Sequence, residues 1–209
     1  SDQLNLIELR RLVVSAPEQA RSLIEAEGYF SANITTRVTD ATDSQPMVVL
    51  LKIDPGPRTL VKKVQLIFEG ELDERLAADD EAAKELVQSL NDTWALPQGQ
   101  VFRQAEWSAS KNATLAKLRA EGYPTASWSG TSVTVDAETK EATLFLVADS
   151  GPAFFFGDIQ VEGLKSQPAS AITHLSPFKR GAPYKEAQLV DLQDRIQKIN
   201  LFDSVFVST

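Results

Sequence analysis

Apolar residues recur along this chain in two rhythms, and the change from one to the other happens three times in the same way. Helical spacing leads up to Gly28 and again to Gly122, with Ile24 and Leu118 four residues before each glycine, as a helix facing a core requires. Ile196 stands at the same distance before Asn200. Past each of these positions the period drops to two, so the chain is expected to pass from helix directly into strand. Four residues beyond come Ala32, Ala126 and Ser204, all small; six beyond come Ile34, Trp128 and Phe206, all large and expected to face a core.

The tetrapeptide "AEGY" occurs at 26–29 and 120–123. A helix commonly ends on a residue in the left-handed conformation just past its C-cap, where glycine avoids a Cβ clash and asparagine is the usual substitute. Gly28, Gly122 and Asn200 fit that position, each followed by a large residue, Tyr29, Tyr123 or Leu201. The chain therefore contains three copies of one helix-to-strand unit.

The next strand in each copy differs in kind. "MVVLLKI" (47–53) and "TLFLVA" (143–148) are continuous apolar runs, expected for strands covered on both faces or lying mid-sheet, which leaves the alternating strand before each as an edge. Related turns, "DPGP" (54–57) and "DSGP" (149–152), close them. "VKKVQLIFEG" and "FFFGDIQVEG" then read as short strands ending at Gly70 and Gly163. Two helices follow each, separated by "LPQGQVF" (96–102) or "PFKRGAPY" (177–184), with Gly99 and Gly181 turning the chain and Phe102 and Tyr184 anchoring it.

The predicted fold class is α+β, with tandem modules of order strand, helix, helix, strand, strand, each a three-stranded mixed sheet covered by two helices. The boundaries are 1–57, 58–151 and 152–209. The first module lacks its first strand and opens with helical "LNLIELRRLV", ahead of a capping box at Ser15 and Glu18 with Pro17 in the first turn. The third stops before its last strand, so the natural protein is expected to continue.

Composition narrows the function. With 29 acidic and 21 basic residues the net charge is −8, which opposes approach to nucleic acid or an anionic membrane surface. Cysteine is absent and His174 is the single histidine, which rules out a cysteine-ligated or multi-histidine metal centre. No apolar run is long enough to span a bilayer as a helix. The acidic stretch 69–86, with Asp79, Asp80 and Glu81 in a row, reads as a solvated helix start, since consecutive helical residues point in different directions. His174 has no nucleophile elbow to serve, and no glycine-rich phosphate motif occurs. No enzyme activity and no cofactor are expected. Trp94, Trp107 and Trp128 read as core, and the aromatic run Phe154 to Phe156 as packing between modules, with a hydrophobic-ligand site as the rival.

The "GY" after the second helix, the "GP" after the last strand, the "EG" after the first strand and the "GxPY" between helices together resemble the POTRA (polypeptide-transport-associated) domain. That module stands in series before outer-membrane barrels of Gram-negative bacteria and their organelle descendants. Three copies, with "SPFKRGAPY" and "INLFDSVFV" in the last, look most like the TamA family, the barrel-containing half of the translocation and assembly module. BamA-like proteins carry more copies and two-partner-secretion transporters two. The resemblance implies a periplasmic arm attached to the outer membrane through a barrel in cis. It also implies a TamB-like, inner-membrane-anchored partner and unfolded outer-membrane protein substrates.

Function is then expected in surfaces. The alternating strand after each "GY" would turn Ser31, Asn33, Thr35 and Arg37, and Thr125, Ser127 and Ser129, away from the core. Its exposed edge offers unpaired backbone groups to a guest strand with little regard to the guest's sequence. Short proline-containing connections, "DPGPRT" and "DSGPAF", are expected to limit the relative orientations of neighbouring modules.

Overall fold

The computed structural model describes residues 2–39, 47–162, 169–199 and 205–208. In chain order the elements are α1 (Asp2–Ala26), β1 (Asn33–Thr39), β2 (Val48–Asp54), β3 (Leu60–Glu69), α2 (Glu71–Ala77), α3 (Glu81–Asp92), α4 (Gln104–Ala120), β4 (Ser127–Asp136), β5 (Glu141–Asp149), α5 (Ala169–Thr173) and α6 (Glu186–Lys198). The architecture is α+β, with β1 and β2 forming an antiparallel ribbon and β3, β5 and β4 a three-stranded sheet in that order. Leu60 N–H donates to the Lys140 carbonyl at the start of β3, and Ser150 N–H to Glu69 at its end, so β3 and β5 run parallel and the sheet is mixed.

The chain divides into two compact units. One comprises Ser1–Gln65, Ala95–Lys111 and Ser132–Phe145; the other comprises Leu66–Trp94, Asn112–Thr131 and Leu146–Thr209. Val61, Leu96, Phe102, Trp107 and Leu144 are buried in the first. The second holds two cores, one around Phe68, Leu72, Leu90, Leu118 and Tyr123, the other around Phe156, Ile172, Phe178, Leu192 and Ile196. Trp94 and Trp107 are buried, and Trp128 packs on the first of these two cores, as expected of core residues.

Four expectations change. The run "FFFGDIQVEG" forms no strand over its described residues 154–162, where Phe155 makes one isolated antiparallel bridge to Pro183. The capping box at Ser15 and Glu18 does not form, because α1 runs unbroken through Pro17 and the Ser15 hydroxyl donates to the Leu12 carbonyl. Half-buried Val13, Ala16, Pro17, Ala20 and Ile24 keep helical spacing across the proline, so one continuous packed face outweighs the bond that Pro17 cannot donate. The run in β2 is neither mid-sheet nor covered on both faces: β2 has β1 on one side only, among the described residues, and Val48, Leu50 and Ile53 are 54%, 58% and 41% exposed. By contrast β5 is central, and Ala142, Leu144, Leu146 and Ala148 are fully buried along one face.

Phe206 does not face the core. It is 87% exposed, while Val205 and Val207 pack on the Phe156 and Phe178 core, since a one-residue step in a strand exchanges its faces. Its proposed cap, Asn200, and Ser204, Leu201 and Gly163 lie outside the described residues. The acidic stretch is a solvated helix start as expected, and it is one twice over, with Glu71, Asp73 and Glu74 in the first turn of α2 and Glu81 in that of α3. Asp79 adopts φ +62°, ending α2, and Asp80 caps α3 by accepting the Ala83 N–H at 3.0 Å.

Arg75, which carries no signal in the sequence, ties this break together. Its guanidinium donates to Asp80 Oδ2 at 3.0 and 2.8 Å and to the Tyr123 hydroxyl at 3.1 Å. The Ala83 N–H, and then Arg75, hold the Asp80 carboxyl below its usual range of about 3.8, whereas burial pushes the Tyr123 phenol up. The cap therefore stabilises α3 fully above the ordinary carboxylate range and loses its effect as pH falls through the lowered value. In thermal unfolding at neutral pH, Asp80→Ala should lower Tm, and Asp80→Asn should lower it less, because asparagine caps a helix without pairing with Arg75. Both variants should also lose the acid-limb pH dependence that Asp80 contributes.

Candidate partner-binding surfaces

The two "AEGY" segments end their helices through the same local chemistry. At the end of α1, Gly28 N–H donates to the Glu25 carbonyl at 2.9 Å and Tyr29 N–H to Ile24 at 3.0 Å, the paired bonds of a Schellman cap. At the end of α4, Tyr123 N–H donates to Leu118 at 3.0 Å. Gly28 has φ +94° and Gly122 φ +115°, values that a side chain rarely tolerates.

Each capping glycine is also the anchor for a distant segment. The Gly28 carbonyl accepts Thr59 N–H at 2.8 Å, after which Phe102 N–H donates to Thr59 (2.9 Å), Val61 N–H to Gln100 (2.8 Å) and Gly99 N–H to Val61 (2.8 Å). The Gly122 carbonyl accepts Phe154 N–H at 2.8 Å, after which Tyr184 N–H donates to Phe154 (2.9 Å), Phe156 N–H to Ala182 (2.8 Å) and Gly181 N–H to Phe156 (2.7 Å). The two joints match position for position. Both carry an ion pair at the same place, Glu27 with Arg103 at 3.5 Å and Glu121 with Lys185 at 3.1 Å. A Cβ on Gly28 would stand 2.4 Å from the Phe102 carbonyl oxygen, and one on Gly122 would stand 3.4 Å from that of Tyr184.

Leaving these joints, the chain enters β1 and β4, both at sheet edges among the described residues. Asn33, Thr35 and Arg37 are exposed on β1, and Ser127 and Ser129 on β4. Thr125 is exposed just before β4, whereas Ser31, just before β1, is half-buried and its hydroxyl accepts from Lys140 Nζ at 2.8 Å. Ser129 is engaged as well, its hydroxyl 2.8 Å from Glu69 Oε2 and 3.3 Å from the Val147 carbonyl. The predicted residues therefore fall into two separate rows, one per edge. What the sequence reading did not anticipate is the second open side of the ribbon, along β2.

The aromatic run divides. Phe156 stacks on Phe178 with ring centroids 3.7 Å apart, while Phe154 and Phe155 are exposed along a cleft of about 790 Å³ that Tyr184 and Phe206 also line. His174 is exposed in the last turn after α5, where Nδ1 meets the Ser170 carbonyl. Among the described residues no three acidic or histidine side chains converge to hold a metal, and no helix is long and apolar enough to cross a membrane.

No protein-family profile matches the chain. Among solved structures, it is similar to BamA from Haemophilus ducreyi lacking POTRA domains 1–3, with 18% identity over 71% of this chain, a TM-score of 0.52, and 26% of that chain covered. It also aligns with Haemophilus influenzae BamA POTRA3–5, at 21% identity and a TM-score of 0.49, over 89% of this chain and 68% of that one. The first likeness is one of fold, the POTRA-type α+β arrangement, and this chain spans about a quarter of that protein's length.

Substitutions at the joint separate cap strain from close approach. Gly99 has φ +89° with open space around it, so Gly99→Ala should lose only the conformational term, about 1–2 kcal/mol. Gly28→Ala carries the same strain plus a clash with the Phe102 backbone, and urea unfolding should show a clearly larger loss. Equal losses would mean that the joint yields freely. Thr59 Oγ1 is buried with no partner among the described residues, so Thr59→Val should raise stability by about 1 kcal/mol in the same measurement.

Proposed function

We propose that this chain is a non-enzymatic, periplasmic arm of POTRA modules from an outer-membrane protein assembly or translocation factor, and that it works by offering strand edges to extended segments of other proteins. The observation that carries this reading is the placement of β1 and β4. Each follows a glycine-capped joint of the same design and lies at a sheet edge with exposed polar side chains. An edge presents unpaired N–H and C=O groups, so backbone pairing supplies affinity while tolerating many guest sequences.

In this reading the modules span 1–57, 58–151 and 152–209, and the matched joints at Gly28 and Gly122 mark where one hands over to the next. The residues offered to a guest are Ser31, Asn33, Thr35 and Arg37 on one edge and Thr125, Ser127 and Ser129 on the other. The partners are a TamB-like, inner-membrane-anchored protein, unfolded outer-membrane protein substrates, and a barrel in the same polypeptide. Membership of the TamA family accounts for three modules; a BamA-like assembly protein or a two-partner-secretion transporter is the neighbouring alternative.

The cleft beside Phe154 and Phe155 favours a second reading, an envelope module that holds an apolar ligand. Phe155→Ser distinguishes the two, since it would remove ligand binding in the second and leave strand capture untouched in the first.

Neighbouring residues of a strand point their N–H groups to opposite sides, so of Thr35→Pro and Thr36→Pro one removes an outward donor and the other a bond to β2. The outward variant should keep its circular dichroism spectrum. It should also lose roughly tenfold or more in capture of TamB or of a labelled barrel-strand peptide, the equivalent of one or two backbone bonds. Full capture by that folded variant would rule out edge addition at β1.

A further inference from the structure

The outer face of the β1–β2 ribbon combines features found on neither β4 nor β5. Its register sets Thr39 opposite Val48, Arg37 opposite Leu50, Thr35 opposite Lys52 and Asn33 opposite Asp54. Strand alternation puts these eight side chains on one face, and all eight are exposed, while the other face holds half-buried Ile34, Val49 and Leu51 together with exposed Thr36, Val38 and Ile53. Two aliphatic side chains, Val48 and Leu50, thus stand in water at 54% and 58% exposure beside two cations. The strands β4 and β5 contain no lysine or arginine at all. In a chain of net charge −8 this is a local reversal of sign.

Neither Arg37 nor Lys52 makes an ion pair among the described residues. As diagonal neighbours on an antiparallel pair they are separated by about 7–8 Å at the backbone. Alternate residues of an extended segment are spaced by about 7 Å. Carboxylates two residues apart on such a segment therefore match the two cations, and arginine can take one of them through two parallel hydrogen bonds. Aliphatic side chains at the flanking positions of the same parity would remove Val48 and Leu50 from water.

We propose that this face docks an extended, acidic and aliphatic segment of a partner protein, with its carboxylates on Arg37 and Lys52 and its apolar side chains over Val48 and Leu50. The proposal rests on the reading of the chain as a binding arm and names the chemistry of the guest. It does not depend on edge addition, because the contact runs through side chains of the face.

The test uses fluorescence anisotropy with the whole chain and two labelled ten-residue peptides of pattern V-S-V-S-X-S-X-S-V-S, in which every second residue shares one face and X is Glu in one peptide and Gln in the other. The Glu peptide should bind about tenfold or more tighter than the Gln peptide, and this advantage should shrink between about 50 and about 300 mM salt. Arg37→Glu with Lys52→Glu should abolish the advantage and transfer it to a Lys-containing peptide, and Leu50→Ser should weaken all binding to this face. Circular dichroism verifies that these surface variants fold. Unchanged preference for the Glu peptide after charge reversal overturns the proposal. If TamB or barrel-strand capture is lost in the outward proline variant but kept after charge reversal, edge addition stands and face docking is wrong. The opposite pattern leaves face docking standing without the edge.

Discussion

The carbonyl of a helix-capping glycine is the point on which this chain is organised. At Gly28 the left-handed conformation ends α1 and turns the carbonyl toward Thr59, so a local cap becomes the first bond of a ladder that also takes in Phe102, Gln100 and Gly99. Because Gly28 is 2.4 Å, counted from an imagined Cβ, from the Phe102 oxygen, the same residue must be glycine for two reasons. One is the sign of φ, and the other is the room left for a second backbone. The arrangement recurs at Gly122 with Phe154, Tyr184, Ala182 and Gly181, down to the flanking ion pair. Those ion pairs are partly exposed and contribute little energy by themselves; what they share is their location beside a close backbone approach.

This constraint has a functional side. A helix that must end at a set residue also sets where the next strand begins, and β1 and β4 both start five residues past their glycine, at Asn33 and Ser127. In the second case the cap is held from a third direction as well. Tyr123, which follows Gly122, is buried and receives a hydrogen bond from Arg75, whose guanidinium also grips the carboxylate that caps α3. The acidic stretch around Asp79 and Asp80 is thus part of the scaffold that supports an edge strand. A fold built this way keeps its fixed chemistry in turns and caps and leaves the strand faces free to differ. The polar row of β4 and the mixed cationic and aliphatic row of the ribbon are two outcomes of the same plan.

Much of the fold was legible because its signals are local. The glycines at 28, 99, 122 and 181 all carry positive φ as their turn positions predicted, and the change from helical to strand period falls at each "AEGY". Where local signals competed, the reading failed in ways that have causes. Ser15 and Glu18 spell a capping box, yet the half-buried stripe from Val13 to Ile24 continues through Pro17 and the helix follows the stripe. The acids at 79–81 mark a helix start as expected, and only the backbone sign of Asp79, with Asp80 bonded to Ala83, separates that start from the end of α2. Arg75 gave no signal, since an arginine on a helix announces nothing about a tyrosine 48 residues away.

The candidate site divides along the same line. The outward direction of Asn33, Thr35, Arg37 and Ser127 follows from period two alone and was available in the sequence. That Ser31 is held by Lys140 and Ser129 lies against Glu69 was not, because those partners are remote in the chain. Sequence by itself determined where helices hand over to strands, since glycine's left-handed freedom and the spacing of apolar residues act over a few neighbours. Sequence alternation already marked β1 and β4 as edges, whereas tertiary structure alone decided that β2 is open as well, which apolar runs meet water and which face Phe206 takes. Those outcomes depend on what packs beside a strand, and two runs as alike as those of β2 and β5 carry no record of their neighbours.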